Sequence, residues 1–207
     1  VSGAFSPSGT VNVNSGTLTL NALTTNSGMI NVAAGGTILT NNAALTNTAT
    51  GVIAGFGTVK MGSTTPTTLM NDGAISPGGT GAAGTLTILG DVTFGATGSL
   101  NIERFSNTSV DQLAISGKAT LAGTLSWLDR YQSFLSDGTA YAVLTHGSKV
   151  GTFTSLAIPA KYSATYLADR LNITTPNLLA ASSSSVTAAA NQVISGMSSV
   201  SQLVNLL

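Results

Sequence analysis

Gly-Thr-Val-Asn-Val-Asn-Ser-Gly-Thr-Leu-Thr-Leu, residues 9–20, is the stretch that decides the fold, because both of its halves recur along the chain. The first half, a glycine followed two residues later by valine or isoleucine, returns at Gly28-Met29-Ile30, Gly51-Val52-Ile53 and Gly73-Ala74-Ile75. The second half, Gly-Thr followed by alternating apolar positions, returns at Gly36, Gly57, Gly84 and Gly123. Successive units lie about 19–27 residues apart through Gly84, which is the spacing of a solenoid coil.

Each unit reads as two or three short strands separated by turns. Leu18 and Leu20 face one way and the intervening threonines face the other, as in a β-strand. Asn-Gly clusters such as Asn26-Ser27-Gly28 and Asn71-Asp72-Gly73 suit turns, because these residues tolerate left-handed backbone conformations. Coils stacked at about 4.8 Å give every strand parallel neighbours. Threonines and asparagines at equivalent positions can then form hydrogen-bonded ladders.

The pattern therefore predicts an all-β protein with three parts. We expect a right-handed parallel β-helix over residues 1–127, a β-rich cap over residues 128–177, and a linker with an apolar-seam tail over residues 178–207. Such a rod has exposed sheet edges at its ends, and exposed edges invite pairing with other chains.

The composition narrows the classes of function. Charged residues make up 7% of the 207 residues and the net charge is zero, so a basic face for nucleic acid is not expected. Aromatic residues make up 5%, and cysteine is absent, which excludes a disulfide framework and thiolate metal sites. The sequence contains no run of about 20 apolar residues, so no membrane-spanning helix is predicted. The scarcity of charge and cysteine suits an exported bacterial protein, extracellular or on the cell surface.

From Gly73 onward the chain resembles the passenger domains of autotransporter proteins. The resemblance rests on the passenger-associated transport repeat and covers about 50 residues, in five blocks: Gly73-Ala74-Ile75-Ser76-Pro77-Gly78-Gly79, Gly84 to Val92, Gly98 to Glu103, Asp111 to Gly117, and Leu121 to Leu125. The resemblance implies a β-helix, export and life at the cell surface. It implies no particular activity, because proteins of one fold carry many functions. The outer-membrane barrel that follows passengers in this family is not recognised in these residues.

A second stretch looks like the end of such passengers. Tyr141-Ala142-Val143-Leu144-Thr145 is followed by Val150-Gly151-Thr152-Phe153 and by residues 162–173, and in the family this region closes the β-helix. Phe153, Tyr162 and Tyr166 are therefore expected to cover an open coil end, while the alternative is that they are ordinary strand residues of a small β-sandwich. Trp127 is expected in the core at the junction with the cap.

The tail carries a candidate assembly seam. Its apolar residues recur at alternating steps of four and three, as in a helical heptad: Val186, Ala190, Val193, Met197, Val200, Val204 and Leu207. One interpretation is a helix packed on the side of the rod, and another is an element that docks on a neighbouring subunit. The third interpretation is a disordered tail or, as the family resemblance implies, the segment that leads toward a barrel.

Catalytic chemistry is not predicted. His146 is the only histidine, and no nucleophile motif accompanies it. The Gly-rich stretch 79–85 lacks the lysine of a phosphate-binding loop. Among the seven carboxylates, only Asp72 and Asp91 are expected on neighbouring coils, and the adjacent pairs Glu103-Arg104 and Asp129-Arg130 read as solvated surface pairs. We expect no enzyme activity, no cofactor and no metal site.

The function predicted from the sequence is structural. The first hypothesis is a secreted bacterial surface protein whose β-solenoid rods self-associate into a fibre or extracellular matrix, making a homo-oligomer or polymer. The second is a monomeric stalk or adhesin passenger fragment that attaches to a surface or host ligand. The third, ranked last, is a carbohydrate-active β-helix enzyme. Nucleic acid and a membrane span in this chain are not expected.

Overall fold

The computed structural model describes residues 1–63, 67–79, 81–131 and 138–176, and these contain 21 β-strands and no helix. In chain order the strands are β1 (Thr10–Val13), β2 (Gly16–Thr19), β3 (Thr24–Asn26), β4 (Met29–Val32), β5 (Gly36–Thr40), β6 (Leu45–Asn47), β7 (Val52–Gly55), β8 (Thr58–Met61), β9 (Thr68–Asn71), β10 (Ala74–Pro77), β11 (Thr85–Leu89), β12 (Asp91–Phe94), β13 (Ser99–Arg104), β14 (Gln112–Ile115), β15 (Lys118–Leu121), β16 (Thr124–Asp129), β17 (Ala140–Thr145), β18 (Ser148–Gly151), β19 (Ser155–Ala157), β20 (Ser163–Tyr166) and β21 (Arg170–Thr174). The predicted tail seam, Val186 to Leu207, lies outside the described residues.

The strands form three sheets that run the length of the molecule. Sheet 1 has the order β1-β4-β7-β10-β13-β16-β19, and sheet 3 has the order β18-β15-β12-β9-β6-β3. Sheet 2 has the order β2-β5-β8-β11-β14-β17-β21-β20. Up to β19 the chain visits the sheets in turn, and each strand pairs in parallel with the strand three positions earlier. The predicted all-β, β-solenoid fold is therefore confirmed.

The core consists of columns of aliphatic side chains, one residue per coil. In sheet 1 the register aligns Ile30, Ile53, Ile75, Leu100 and Leu125, all at most 1% exposed. Sheet 2 contributes Ile38, Val59, Ile88 and Ile115 in the same way. Each unit places its apolar residues at alternate positions, so stacking in register buries what a single coil would expose.

Buried asparagines form a hydrogen-bonded ladder at the corner between sheets 3 and 1, which is the kind of ladder that the sequence predicts for asparagines at equivalent positions of stacked coils. The Asn26 amide Nδ2 donates to Asn47 Oδ1, and the Asn47 amide donates to Asn71 Oδ1, both at 2.7 Å. All three side chains are at most 1% exposed, and their amides also donate to carbonyls of the following turn, at Gly28, Gly51 and Gly73. The next coil has Phe94 at this position, which ends the ladder.

The recurring glycine at the start of the sheet 1 strands has a different cause from the one expected. Gly28, Gly51 and Gly73 do not adopt the left-handed conformation. Instead, a Cβ on Gly73 would lie 2.2 Å from the carbonyl oxygens of both Gly51 and Thr48. The glycine is needed because consecutive coils approach each other too closely at this corner for any side chain.

The parallel coil continues beyond residue 127. β17, β18 and β19 pair in parallel with β14, β15 and β16, and only β20 and β21 pair antiparallel, folding back onto β17. Aromatic rings fill this end: Trp127 lies 5.6 Å from Tyr162 and 6.1 Å from Tyr141 between ring centroids, and Phe153 packs on Phe94 at 5.3 Å. Trp127 is buried, as expected for a core residue at the junction.

Candidate functional sites: two coil ends and a side groove

At the N-terminal end, the outer sides of β1 and β2 are largely uncovered by the described strands, while β3 is covered. Residues 5–7 run alongside β3, where the Thr25 N–H donates to the Phe5 carbonyl at 3.0 Å and the Phe5 N–H donates to the Leu23 carbonyl at 3.2 Å, and Val1 bonds at the end of β2, donating to the Thr19 carbonyl at 2.7 Å. The described part of the chain provides no such cover for β1, whose four residues carry no charge.

At the C-terminal end, sheet 2 is covered and the other two sheets are open. β21 lies antiparallel to β17, with Tyr141 opposite Ile173, and β20 completes the hairpin. β18 and β19 are the last strands of sheets 3 and 1 among the described residues. Sheet 1 is therefore the one sheet of the described chain whose parallel stack is open at both its first and its last strand, since in sheet 2 the C-terminal edge strand is the antiparallel β20.

The inward positions of the last coil differ among the three sheets. In sheet 1 the core column ends at Leu156, which pairs with Leu125 but is 42% exposed. In sheet 3 the corresponding position, next to the fully buried Ala119, is Lys149, whose amino group lies 5.4 Å above the Tyr166 ring. An inward-pointing charge on an edge strand opposes further strand pairing. The edge of sheet 3 is thus protected by a charge and the edge of sheet 1 is not.

In sheet 2 the last inward position is His146, which follows Ile115 when the register is continued by one residue. Its side chain is buried, and neither ring nitrogen makes a hydrogen bond to the described residues. Burial lowers the pKa of His146, the positive charge of Lys149 lowers it further, and Asp169 opposes the shift. His146 is therefore a core residue of the closing coil, and among the described residues it belongs to no group of three or more histidine, aspartate or glutamate side chains placed to hold a metal ion.

A buried ion pair lies under the cap, which corrects one expectation from the sequence. Arg104 bonds to Asp129 at 3.1 Å, with both side chains at most 9% exposed, and to Asn107 Oδ1 at 2.5 Å. The Tyr162 hydroxyl donates to the same Asp129 carboxylate. Burial alone would raise the pKa of Asp129, but this hydrogen bond and the Arg104 charge hold it below its usual value. For Tyr162, burial and the bond to Asp129 raise the pKa to about 12.

The prediction of two solvated pairs of adjacent residues is therefore wrong. Arg104 pairs with Asp129 inside the solenoid, and Glu103 pairs with Arg130 on the outside. The cause is the coil length: β13 and β16 align Glu103 with Leu128 and Arg104 with Asp129, so charges 25 to 27 residues apart become neighbours. Adjacent residues of a strand point to opposite faces and cannot pair with each other.

A groove of 390 Å³ lies on the outer face of sheet 1. Its lining is mostly polar and consists of Ser76, Gly79, Asn101, Ile102, Glu103, Asp111, Ser126, Leu128 and Arg130. Arg130 donates to Glu103 Oε1 from Nε at 2.8 Å and from Nη2 at 2.5 Å. Asp111 is 1% exposed, and its two oxygens accept the backbone N–H groups of Gly84 at 3.0 Å and Glu103 at 2.9 Å. Burial raises the pKa of Asp111 to about 7; the two backbone hydrogen bonds oppose this shift, and the Glu103 charge adds to it.

The carboxylates that the sequence placed on neighbouring coils are not brought together. β9 and β12 pair Asp91 with Thr68 and Phe94 with Asn71, so Asp72 lies beside Gly95. Four strand residues at about 3.3 Å each then separate the two aspartates by roughly 13 Å along the pair. Among the described residues, no group of three or more histidine, aspartate or glutamate side chains is placed to hold a metal ion. The described part of the chain also contains no helix that could span a membrane.

No protein-family model matches the chain, and no curated protein matches it either. The resemblance to autotransporter passengers therefore remains a prediction based on the quoted motifs.

Proposed function

We propose that this chain is a structural protein of the bacterial surface whose β-solenoid rods associate end to end into a fibre or extracellular matrix. The observation that carries the proposal is the contrast between the sheet edges. The described residues fold an antiparallel hairpin over the last parallel strand of sheet 2 and place a charge on the last strand of sheet 3, and they leave the first and last strands of sheet 1 uncharged and open.

The contact that we propose joins β19 of one copy to β1 of the next. Both strands are uncharged, and the core column of sheet 1 runs from Val11 through the molecule to Leu156. Pairing β19 with a second β1 would place Leu156 against Val11 and repeat the parallel contact that already joins every coil to the next. A contact between two different surfaces of the same chain does not close on itself, so it extends into a filament.

The test is electron microscopy with analytical ultracentrifugation of the chain and two lysine variants. Leu156→Lys introduces a charge at an inward edge position, as Lys149 does in sheet 3, and is expected to abolish filaments and leave single rods. Val150→Lys is the matched control, because Val150 is 57% exposed on the neighbouring edge strand β18 but points outward. We expect the control to assemble like the unaltered chain.

Removal of residues 178–207 is a separate arm of the experiment, since the tail seam is the other candidate for assembly. Filaments that disappear in this variant and persist in Leu156→Lys would assign assembly to the tail and overturn the edge contact. Dispersed rods in every sample, at all concentrations, would overturn self-association itself and favour the stalk or adhesin hypothesis.

A further inference from the structure

The floor of the sheet 1 groove consists of three polar residues at one outward position, with an alanine at that position on the strand before and on the strand after. Ser76, Asn101 and Ser126 occupy one outward register position on three consecutive strands, and the Asn101 amide donates to Ser76 Oγ at 3.3 Å. The same position is Ala54 on the strand before and Ala157 on the strand after. The polar floor therefore spans two strand spacings, about 10 Å.

The walls of the groove carry charges that cancel each other. Arg130 and Glu103 are joined by two hydrogen bonds, and Glu103 Oε2 also accepts the Gly81 N–H at 3.3 Å. The Glu103 carboxylate would repel a bound anion, and the Arg130 guanidinium would repel a bound cation. Leu128, in register with Glu103 and 47% exposed, adds an apolar surface beside the pair. This combination suits a neutral ligand that has both hydroxyl groups and a C–H face.

Hydrogen-bonding capacity remains free on the groove floor. Ser126 Oγ and Asn101 Oδ1 have no hydrogen-bond partner among the described residues, although both lie in the groove. The groove volume of 390 Å³ falls within the size range of small-molecule sites, and hydroxyl and amide groups are spaced along its floor.

We infer that this groove is a binding subsite for a neutral carbohydrate, one or two sugar rings long, lying across β10, β13 and β16. The subsite lies on the side of the rod and uses neither β1 nor β19. It is therefore independent of the proposed end-to-end contact, and it would give an assembled rod one sugar site per copy.

Saturation-transfer NMR tests the inference, because the method works for single rods and for large assemblies alike. The probes are cellobiose and maltose, two neutral disaccharides of different linkage, with glucuronic acid and glucosamine as charged counterparts. We expect transfer to at least one neutral disaccharide and at least fivefold less to both charged sugars. Absence of transfer to both disaccharides, or equal transfer to the charged sugars, would overturn the inference.

Variants assign the signal to the groove. Asn101→Leu fills the floor and should reduce the transfer at least fivefold, whereas Asn31→Leu should leave it unchanged. Asn31 is a matched control, since it occupies the same outward column of sheet 1, between Asn12 and Ala54. Ser126→Val tests a second floor position and should also reduce the transfer. This variant replaces Asn101→Leu as the test if circular dichroism shows that Asn101→Leu does not fold. Transfer that survives in the folded floor variants would place the sugar elsewhere and contradict the inference.

Discussion

Replacing Asn47 by alanine tests whether the buried asparagine ladder holds the coils together. Asn47 is fully buried, accepts a hydrogen bond from Asn26 and donates to Asn71 at 2.7 Å in both cases. Its amide also lies 3.1 Å from the carbonyl oxygens of Gly51 and Ala74. The substitution therefore removes the middle of the ladder and the link between three successive coils.

The magnitude follows from the bonds that are lost and the atoms that are left. A buried hydrogen bond contributes about 1 kcal/mol net, and a buried polar atom left without a partner costs about 1–3 kcal/mol. Asn71 Oδ1 loses its one described partner, whereas the Asn26 amide keeps the carbonyls of Gly28 and Val52. The loss of two strong hydrogen bonds and the one acceptor left without a partner together predict that the free energy of unfolding falls by about 4 kcal/mol, which is a large part of the stability of an ordinary domain.

Urea denaturation gives the measurement, with circular dichroism reporting all coils and the fluorescence of Trp127, the only tryptophan, reporting the C-terminal coils. Because solenoid coils contact only their neighbours, Asn47→Ala should shift the circular dichroism transition more than the fluorescence transition. Asn31→Ala is the control, since Asn31 and Asn12 form an exposed pair at 3.4 Å, and its effect should stay below about 0.5 kcal/mol. A loss for Asn47→Ala within 1 kcal/mol of the control would refute the role of the ladder.

Three further predictions concern the coil corner and two of the buried titratable groups, His146 and Asp111. Gly73→Ala should destabilise the chain by about 3 kcal/mol in urea titrations because its Cβ meets two carbonyl oxygens, whereas Gly9→Ala has open space and should be neutral; equal effects would contradict the corner argument. His146→Leu should stabilise the chain more at pH 5 than at pH 8. The lowered pKa of His146 means that unfolding takes up a proton below about pH 6.5, and an unchanged difference between the two pH values would refute this. In that variant, stability should rise as the pH falls from 8 to 5, because the folded-state pKa of Asp111, about 7, exceeds the usual aspartate pKa of 3.8. A tenfold change in proton affinity is about 1.4 kcal/mol, so the two pH units between the folded-state pKa of about 7 and pH 5 set a ceiling of about 3 kcal/mol, and we expect about 2 kcal/mol. Adding Asp111→Asn should flatten this pH profile, and a profile that keeps its slope would assign it to another group.

Local repetition made the architecture predictable. Both glycine-led phrases mark each of the first four coils, and their alternating apolar residues become the core columns of sheets 1 and 2. The register was less predictable. Thr58, in its Gly-Thr phrase, pairs with Thr87 and not with Thr85 of the next phrase, a shift of two residues. Because the side chains of a strand repeat every two residues, this shift preserves the inward and outward faces but changes which side chains are neighbours.

By itself the sequence determined that this protein is an all-β solenoid with glycine corners and an asparagine ladder, because those features repeat within each coil and depend on local periodicity. Only the tertiary structure decided which charges meet. Arg104 forms an ion pair with Asp129 in the interior, and Glu103 forms one with Arg130 at the groove. The loop lengths vary from coil to coil, and they determine which residues of successive coils become neighbours. The tertiary structure also decided that Leu156 ends a core column in the open while Lys149 protects the neighbouring edge. The state of an edge depends on what the rest of the chain places beside it, and no single repeat contains that information.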